Sequence, residues 1–269
     1  MQYATEMISL SVILPTKEEN ENLKSLIPRI IEHLNGISGQ VKNFEIIVVD
    51  DSNTLTQKEL KKQKWNDRVT IHLRDSKNST LSSAIRLGVN FAKYETVCWM
   101  DADGSMPPET IKLLLDKYKH NENVVIGSRF VEGGGFKGSK IDSFSVKAYI
   151  RTFRNLKKSN DLVSAVLLSR ILNLILRKVL SQGVNDWTSG YVICSKIVAM
   201  NNLKIDGYGE YFIDFLCNCL KNNKKIEEIG YMCETRKFGK SKTGENLVEL
   251  IITGLPYLKI AFLQFFKRD

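Results

Sequence analysis

The sequence predicts one α/β domain: a mostly parallel sheet flanked by helices, with amphipathic helices added in its second half. Two patterns carry this expectation. Short β-branched runs alternate with helically spaced segments through the first half, the signature of βαβ units. Those runs end in polar or acidic residues, so their carboxyl ends form one rim. A length of 269 residues, with 43% apolar and 26% charged residues, suits a globular chain with a sizeable core and excludes disorder, collagen and coiled coil.

Taken in order, Ser11 to Leu14 reads as a first buried strand, followed by a helix from about Asn22 to Leu34. Phe44 to Val49 is an apolar run ending at Asp50-Asp51. Val69 to Leu73 is the next strand, with a helix over about Ser82 to Lys93. Thr96 to Met100 is a strand ending at Asp101-Ala102-Asp103. Pro107-Pro108 is expected to start another helix, since proline is tolerated in a first turn. Val124 to Ile126 closes this half. Pro15 to Glu19, Asp50-Asp51 and Asp101 to Asp103 therefore share the rim where open α/β sheets bind ligands. Taken singly, each of these acids also suits a turn or a helix cap.

After Gly127 the pattern changes. Gly133-Gly134-Gly135 with Gly138 marks a flexible loop. From Lys147 to Lys178 the chain carries eight Lys or Arg against one Asp, and Leu162 to Leu180 has helical apolar spacing with Arg170, Asn173 and Arg177 on one stripe. This basic amphipathic helix suits a phosphate or a membrane surface, or equally a helix covering the sheet with a solvated basic face. Leu247 to Phe266 is the most apolar stretch, but Glu249, Pro256 and Lys259 interrupt it short of the roughly 20 residues a spanning helix needs. It reads as lying on a surface or packing on its own domain. The boundary expected between the main domain (1–245) and this C-terminal amphipathic segment (246–269) falls just before it.

The chain carries 39 Lys and Arg against 30 Asp and Glu, a net charge of +9, which favours anionic partners. No recognised nucleic-acid motif or aromatic-studded basic sheet accompanies that charge, so nucleic acid is not the expected partner. Five cysteines without a C-x-x-C pair argue against a zinc site or disulfide framework and for a reducing compartment. No signal peptide is expected at the N-terminus, because the apolar stretch from Met7 to Leu14 runs into Pro15 and acidic residues without a small-residue cleavage site. His33, His72 and His120 sit in no common motif and read as structural.

The first chemical signal is Asp101-x-Asp103. Two carboxylates two residues apart at a strand end can reach one hard cation, and Mg²⁺ and Mn²⁺ prefer such oxygen ligands, keeping waters and substrate phosphates as well. D-x-D alone is weak; its place after Val97-Cys98-Trp99-Met100 strengthens it.

With its neighbours the chain resembles the family-2 glycosyltransferases of GT-A (Rossmann-like) fold, and among them the dolichyl-phosphate mannose synthases and related polyprenyl-phosphate sugar transferases. The resemblance runs from about Leu10 to Gly254. It rests on Val12-Ile13-Leu14-Pro15-Thr16 with Glu19, Glu21 and Asn22; on Ile46 to Asp51; and on Leu81, Ala84, Ile85, Arg86 and Gly88. It continues through Met100 to Asp103 with Pro107-Pro108-Glu109, and Gly127-Ser128-Arg129-Phe130. The later pieces are Ser169-Arg170, Gly183-Val184 with Asp186, Thr188, Ser189 and Gly190, and Arg236 to Lys242. The departures are Lys17 and Glu18 for the usual aromatic and Asn, Ser52-Asn53-Thr54 after the paired Asp, and Thr80 and Ser82 for two glycines.

The resemblance implies an inverting, metal-dependent transfer of a sugar, mannose from GDP-mannose, to a polyprenyl or dolichyl phosphate. A UDP-glucose or UDP-N-acetylhexosamine donor and a different acceptor are the alternatives, with a non-catalytic subunit behind them. By the same resemblance Pro15, Lys17, Glu19, Val49 and Asp51 hold the nucleotide. Asp101, Ala102 and Asp103 face the diphosphate, with Asp101, Asp103 and Ser105 at Mg²⁺ or Mn²⁺. Arg129, Arg236 and Lys242 neutralise phosphate charge, and Arg170, Arg177 and Ser241 meet the acceptor phosphate. The expected location is the cytoplasmic side of a membrane, peripherally bound, with a small anchoring subunit as a further expected partner.

Overall fold

A computed structural model describes residues 7–75, 79–120, 122–136, 161–180, 183–236, 238 and 247–267; in its two longest helices side chains are described from residues 169 and 254. Strand β1 (Ile8–Thr16) leads to helix α1 (Asn20–Gly36), β2 (Val41–Asp50), α2 (Thr54–Lys62), β3 (Val69–Leu73), α3 (Leu81–Phe91) and β4 (Thr96–Trp99). The chain continues through α4 (Thr110–Lys117), β5 (Asn123–Ser128), β6 (Gly135–Phe136) and α5 (Asp161–Leu180). Next come β7 (Val192–Ser195), α6 (Lys196–Asn202), α7 (Glu210–Lys221), β8 (Lys225–Gly230), β9 (Met232–Cys233) and α8 (Leu247–Phe266).

The main sheet has the order β3-β2-β1-β4-β7-β5-β8. It is parallel except where β7 runs antiparallel to β4 on one side and β5 on the other. That insertion differs from the expectation that Val124 to Ile126 closes the first half. A strand from much later in the chain separates β4 from β5, because Val192 to Ser195 is as apolar and fully buried as its neighbours.

Alternation along the strands divides the core between the two sheet faces. Val12 and Leu14 of β1 pack with Leu23, Leu26, Ile27 and Ile30 of α1 and with Ile111 and Leu114 of α4. Ile13 and Val49 face the other way, against Ala84, Ile85 and Val89 of α3 and the layer formed by α5 to α8. The α1 set recurs at three- and four-residue spacing, so one stripe of that helix is buried. Helix α3 starts on a capping box between Thr80 and Ser83.

Two further expectations are corrected, and one helix is added. Helix α4 begins at Thr110, since Pro107 and Pro108 form the turn whose carbonyls accept the Thr110 and Ile111 amides. Helix α2 had no apolar periodicity to reveal it, as only Leu60 is buried; Asn53 caps it by accepting the Leu55 and Thr56 amides. The glycine loop is partly sheet, with Gly135 and Phe136 pairing with Met232 and Cys233; Gly138 lies outside the described residues.

Cys98, Cys194, Cys217, Cys219 and Cys233 are all free thiols. Helix α8 packs its inner face, including Ala261, into the core beside α5 and α7. Its outer face leaves Leu255, Phe262, Leu263, Phe265 and Phe266 exposed. Among the described residues, no helix is long and apolar enough to cross a membrane.

Candidate active site

The register of the parallel strands brings the three expected strand ends together. Pro15 and Thr16 pair with Val49 and Asp50, and Ile13 pairs with Trp99, so Glu19, Asp51 and Asp101 leave the same edge. At the β2 end of this edge Asp51 is nearly buried and grips Arg74, which follows β3: Nε donates to Oδ1 at 2.6 Å and Nη2 to Oδ2 at 2.5 Å. The Arg74 guanidinium also donates to Ser83 Oγ at 3.0 Å. Pro15 is buried and Lys17 half-buried. Val49 is completely buried against α3, so any ligand contact from that position is made by its backbone.

The departures at Glu18 and at Ser52-Asn53-Thr54 prove to be mutual partners. Glu18 adopts φ of 59°, and its amide donates to Ser52 Oγ at 2.7 Å. Its carboxylate accepts the Asn53 amide and Thr56 Oγ1, each at 2.6 Å, at the positive end of α2. Ser52 Oγ in turn donates to Asp50 at 2.6 Å. Two local changes thus form one hydrogen-bonded corner over the end of β2.

The D-x-D segment turns sharply after β4. Gly104 has φ of 78°, a conformation that favours glycine. That turn lets the Ser105 amide donate back to Asp103 Oδ1 at 2.9 Å. The Ser105 carbonyl then accepts the Glu234 amide at 2.8 Å, which lays the segment after β9 along the turn. Arg29 of α1 fixes this segment by binding Glu234 at 3.1 Å and Glu109 at 2.6 Å. Arg236 consequently lands between two acids of the rim: Nη2 lies 2.9 Å from Glu19 Oε1 and 3.1 Å from Asp103 Oδ2. Glu19 is further held by Asn22 Nδ2 at 2.6 Å.

The residues present fit a divalent cation shared with a substrate. Asp101, Asp103 and Ser105 offer only oxygen donors, as a hard cation requires. Among the described residues no group of three or more His, Cys, Asp or Glu forms a protein-only cage. A cation held here would need substrate oxygens and water to complete its shell, with Arg236 beside the acids to balance their charge.

Burial, and then the charge of Asp103, push the Asp101 carboxyl up to about 7, against the pull of Arg129 and Arg236. The unfolded chain releases this proton near 3.8, whereas the folded one keeps it to about 7. Stability from this group is therefore greatest at low pH and declines as pH rises across that window. Thermal melts of the metal-free protein between pH 4 and 7 are expected to show a smaller pH-dependent decline for Asp101→Asn than for the unaltered chain.

Further along the rim Arg129 follows β5 and is committed to Asp186, which is fully buried. Its Nε and Nη2 each donate to that carboxylate at 2.8 Å, and its amide does so at 2.9 Å. Burial opposes the charge on Arg129, but Asp186 outweighs it and raises the pKa. Thr188 Oγ1 accepts from Arg129 at 2.9 Å and from Asn173 of α5 at 2.8 Å. Asn173, expected on a basic stripe, is buried and joins α5 to this network; Arg170 lies one turn away on the same face. Arg170 and Arg177 are half-buried. Ser241 and Lys242 lie outside the described residues. Sequence reasoning had not singled out Arg74 or Glu234, although Arg74 follows the third strand at the same rim as Asp50-Asp51.

A twisted, mostly parallel sheet with one antiparallel insertion and an acidic strand-end rim defines the GT-A fold. Glucosyl-3-phosphoglycerate synthase from Mycobacterium tuberculosis shares it at a TM-score of 0.59, across 96% of this chain and 80% of that one, with 15% identity. The chain belongs to glycosyl transferase family 2, whose sequence profile matches residues 11–183. Among curated relatives, polyprenol monophosphomannose synthase of Mycolicibacterium smegmatis is 30% identical over 88% of this chain and 82% of its own length. Dolichol-phosphate mannosyltransferase of Pyrococcus furiosus is 38% identical over 47% of this chain, a match that spans only 35% of that relative.

Proposed function

We propose that this protein transfers a sugar, mannose from GDP-mannose, to a polyprenyl phosphate, with inversion and with a divalent cation. The observation that carries the reading is the placement of Arg236 against Asp103 and Glu19 at the strand-end rim. The names of the two relatives support the substrate class. An acceptor phosphate is already anionic near neutral pH, its second pKa being about 6. Its oxygen attacks the anomeric carbon, forming the new C–O bond while the bond to the nucleoside diphosphate breaks, and no protein base is needed. The chain's share is to position the two substrates and to offset the charge gathering on the leaving diphosphate. Asp101, Asp103 and Ser105 would hold Mg²⁺ or Mn²⁺, which supplies Lewis-acid stabilisation of that diphosphate. Arg236 lies beside it, and Lys17, Asp51 and Arg74 line the nucleoside end. Arg129, Arg170 and Arg177, with Ser241 and Lys242, serve the acceptor phosphate. Transfer is expected to stop with a chelator and to return with Mg²⁺ or Mn²⁺; full turnover in chelator would remove the metal from the scheme. Running UDP-glucose beside GDP-mannose tests the donor, which the Lys17 and Glu18 departures leave as the second reading.

A polyprenyl tail stays in the bilayer, so the reading also places the exposed face of α8 at a membrane surface. Phe262→Ser with Phe266→Ser is expected to lower co-sedimentation with anionic vesicles several-fold and to leave the melting temperature nearly unchanged, since both rings are exposed. Undiminished co-sedimentation would move the membrane contact elsewhere.

A further inference from the structure

We propose that Arg236 couples the cation to the nucleotide. In the protein alone its guanidinium holds the carboxylate oxygen that a cation needs, and a nucleoside diphosphate resolves the conflict by drawing the guanidinium onto itself. The inference rests on the nucleotide-sugar reading of the site and deepens it, because that reading gives Arg236 only the charge of the leaving group.

Ties on both sides fix Arg236 at the rim. Before it, the Glu234 amide donates to the Ser105 carbonyl at 2.8 Å, and Arg29 Nη1 donates to the Glu234 carboxylate at 3.1 Å. After it, the Phe238 carbonyl accepts from Asn22 Nδ2 at 3.1 Å, and the same nitrogen donates to Glu19 Oε2 at 2.6 Å. Helix α1 and the turn after Asp103 thus hold the chain at Glu234 and again at Phe238, with Arg236 between them. From there Nη2 donates to Glu19 Oε1 at 2.9 Å and to Asp103 Oδ2 at 3.1 Å. Asp103 Oδ1 accepts the Ser105 amide, so Arg236 takes the other oxygen of that carboxylate.

Charge decides what this arrangement does. A hard dication binds a carboxylate oxygen at about 2.1 Å. On Asp103 Oδ2 it would share one oxygen with a guanidinium nitrogen 3.1 Å away, and the two positive groups repel. A diphosphate changes the balance, because its oxygens ligate the cation and accept from the guanidinium together. Arg236 then yields Asp103 to the cation and keeps Glu19. Exposure fits that division: the Asp103 and Arg236 side chains are 19% and 20% exposed and Glu19 only 7%, so the contact open to a ligand is the one with Asp103. Binding couplings are reciprocal, so the cation raises nucleotide affinity by the factor by which the nucleotide raises cation affinity.

The test measures Mn²⁺ binding by the electron paramagnetic resonance of free Mn²⁺, without nucleotide and with GDP, and GDP binding by calorimetry. On the unaltered chain Mn²⁺ and GDP are expected to tighten one another by about ten-fold or more. Arg236→Gln, which removes the charge, is expected to bind Mn²⁺ alone about three- to ten-fold more tightly, the scale of one partly buried charge pair. The same variant is expected to bind GDP with Mn²⁺ more weakly, so the coupling shrinks from both sides. Arg236→Lys keeps the charge and is expected to leave Mn²⁺ affinity near its original value. Adding Asp103→Asn to Arg236→Gln is expected to abolish the gain. A residue that only tied the fold together would shift the melting temperature and would not make Mn²⁺ bind more tightly. Mn²⁺ affinity that is unchanged or weaker in Arg236→Gln, a gain that persists without Asp103, or an unaltered chain that binds Mn²⁺ and GDP independently would overturn the proposal and leave the transferase reading standing. An unaltered chain that binds neither GDP nor UDP with Mn²⁺ would overturn that reading, and this proposal with it.

Discussion

Asp103→Asn is expected to lower sugar transfer at least about a hundred-fold, the scale on which electrostatic stabilisation of a leaving group acts. The fold should survive. Asp103 is partly exposed, and an asparagine oxygen can still accept the Ser105 amide. What disappears is one negative oxygen facing Arg236 and, in the proposed reaction, the cation. Arg236 keeps Glu19 as a partner, so the loop after β9 remains seated. Two measurements separate the cases: turnover over a range of Mn²⁺ concentrations, and the melting temperature. Loss of turnover with an unchanged melt supports the assignment. Undiminished turnover would remove Asp103 from the chemistry.

Asp186→Ala carries the largest expected cost to stability. Its carboxylate has no exposure and answers the Arg129 guanidinium with two bonds at 2.8 Å. Removing it leaves a buried cation without its counter-charge, worth about 3–5 kcal/mol. For a chain of this size that is a fall in melting temperature on the order of 10 °C. The paired change Arg129→Met with Asp186→Leu removes both charges and is expected to recover part of that loss, since an apolar pair of similar volume often replaces a buried ion pair without penalty. If Arg129 also serves the acceptor, the repaired protein regains its melt but not its turnover. A double variant less stable than Asp186→Ala would show that the pair is not the source of the cost.

Much of the first half of the fold was legible in the sequence for a physical reason. β1, β2 and β4 are buried strands, so each is a continuous apolar run, and the acids at their ends are local in sequence. Asp101 and Asp103 could be placed at a rim from eight or so consecutive residues. Arg236 was legible as part of a basic motif, but its seat between Glu19 and Asp103 was not. That seat depends on Glu234, Ser105 and Arg29 meeting across more than 200 residues of chain. The Asp51–Arg74 pair was missed because adjacency of β2 and β3, not spacing, creates it. The position of β7 was missed because a four-residue apolar strand says nothing about which neighbours it joins. Helix α8 shows the same limit: its apolar periodicity announced a surface helix but not that Tyr257 packs against the backbone of Gly209 at the start of α7.

The central claim is that a phosphate on a polyprenyl chain receives the sugar. The most direct test offers purified protein GDP-[¹⁴C]mannose with Mg²⁺ in detergent, and compares polyprenyl phosphate with the same polyprenol lacking its phosphate. The account predicts a labelled, acid-labile lipid from the phosphate alone, because only that acceptor is an anion able to attack without a protein base. Equal labelling of both lipids, or none with either GDP-mannose or UDP-glucose while a water-soluble acceptor becomes labelled, would contradict it.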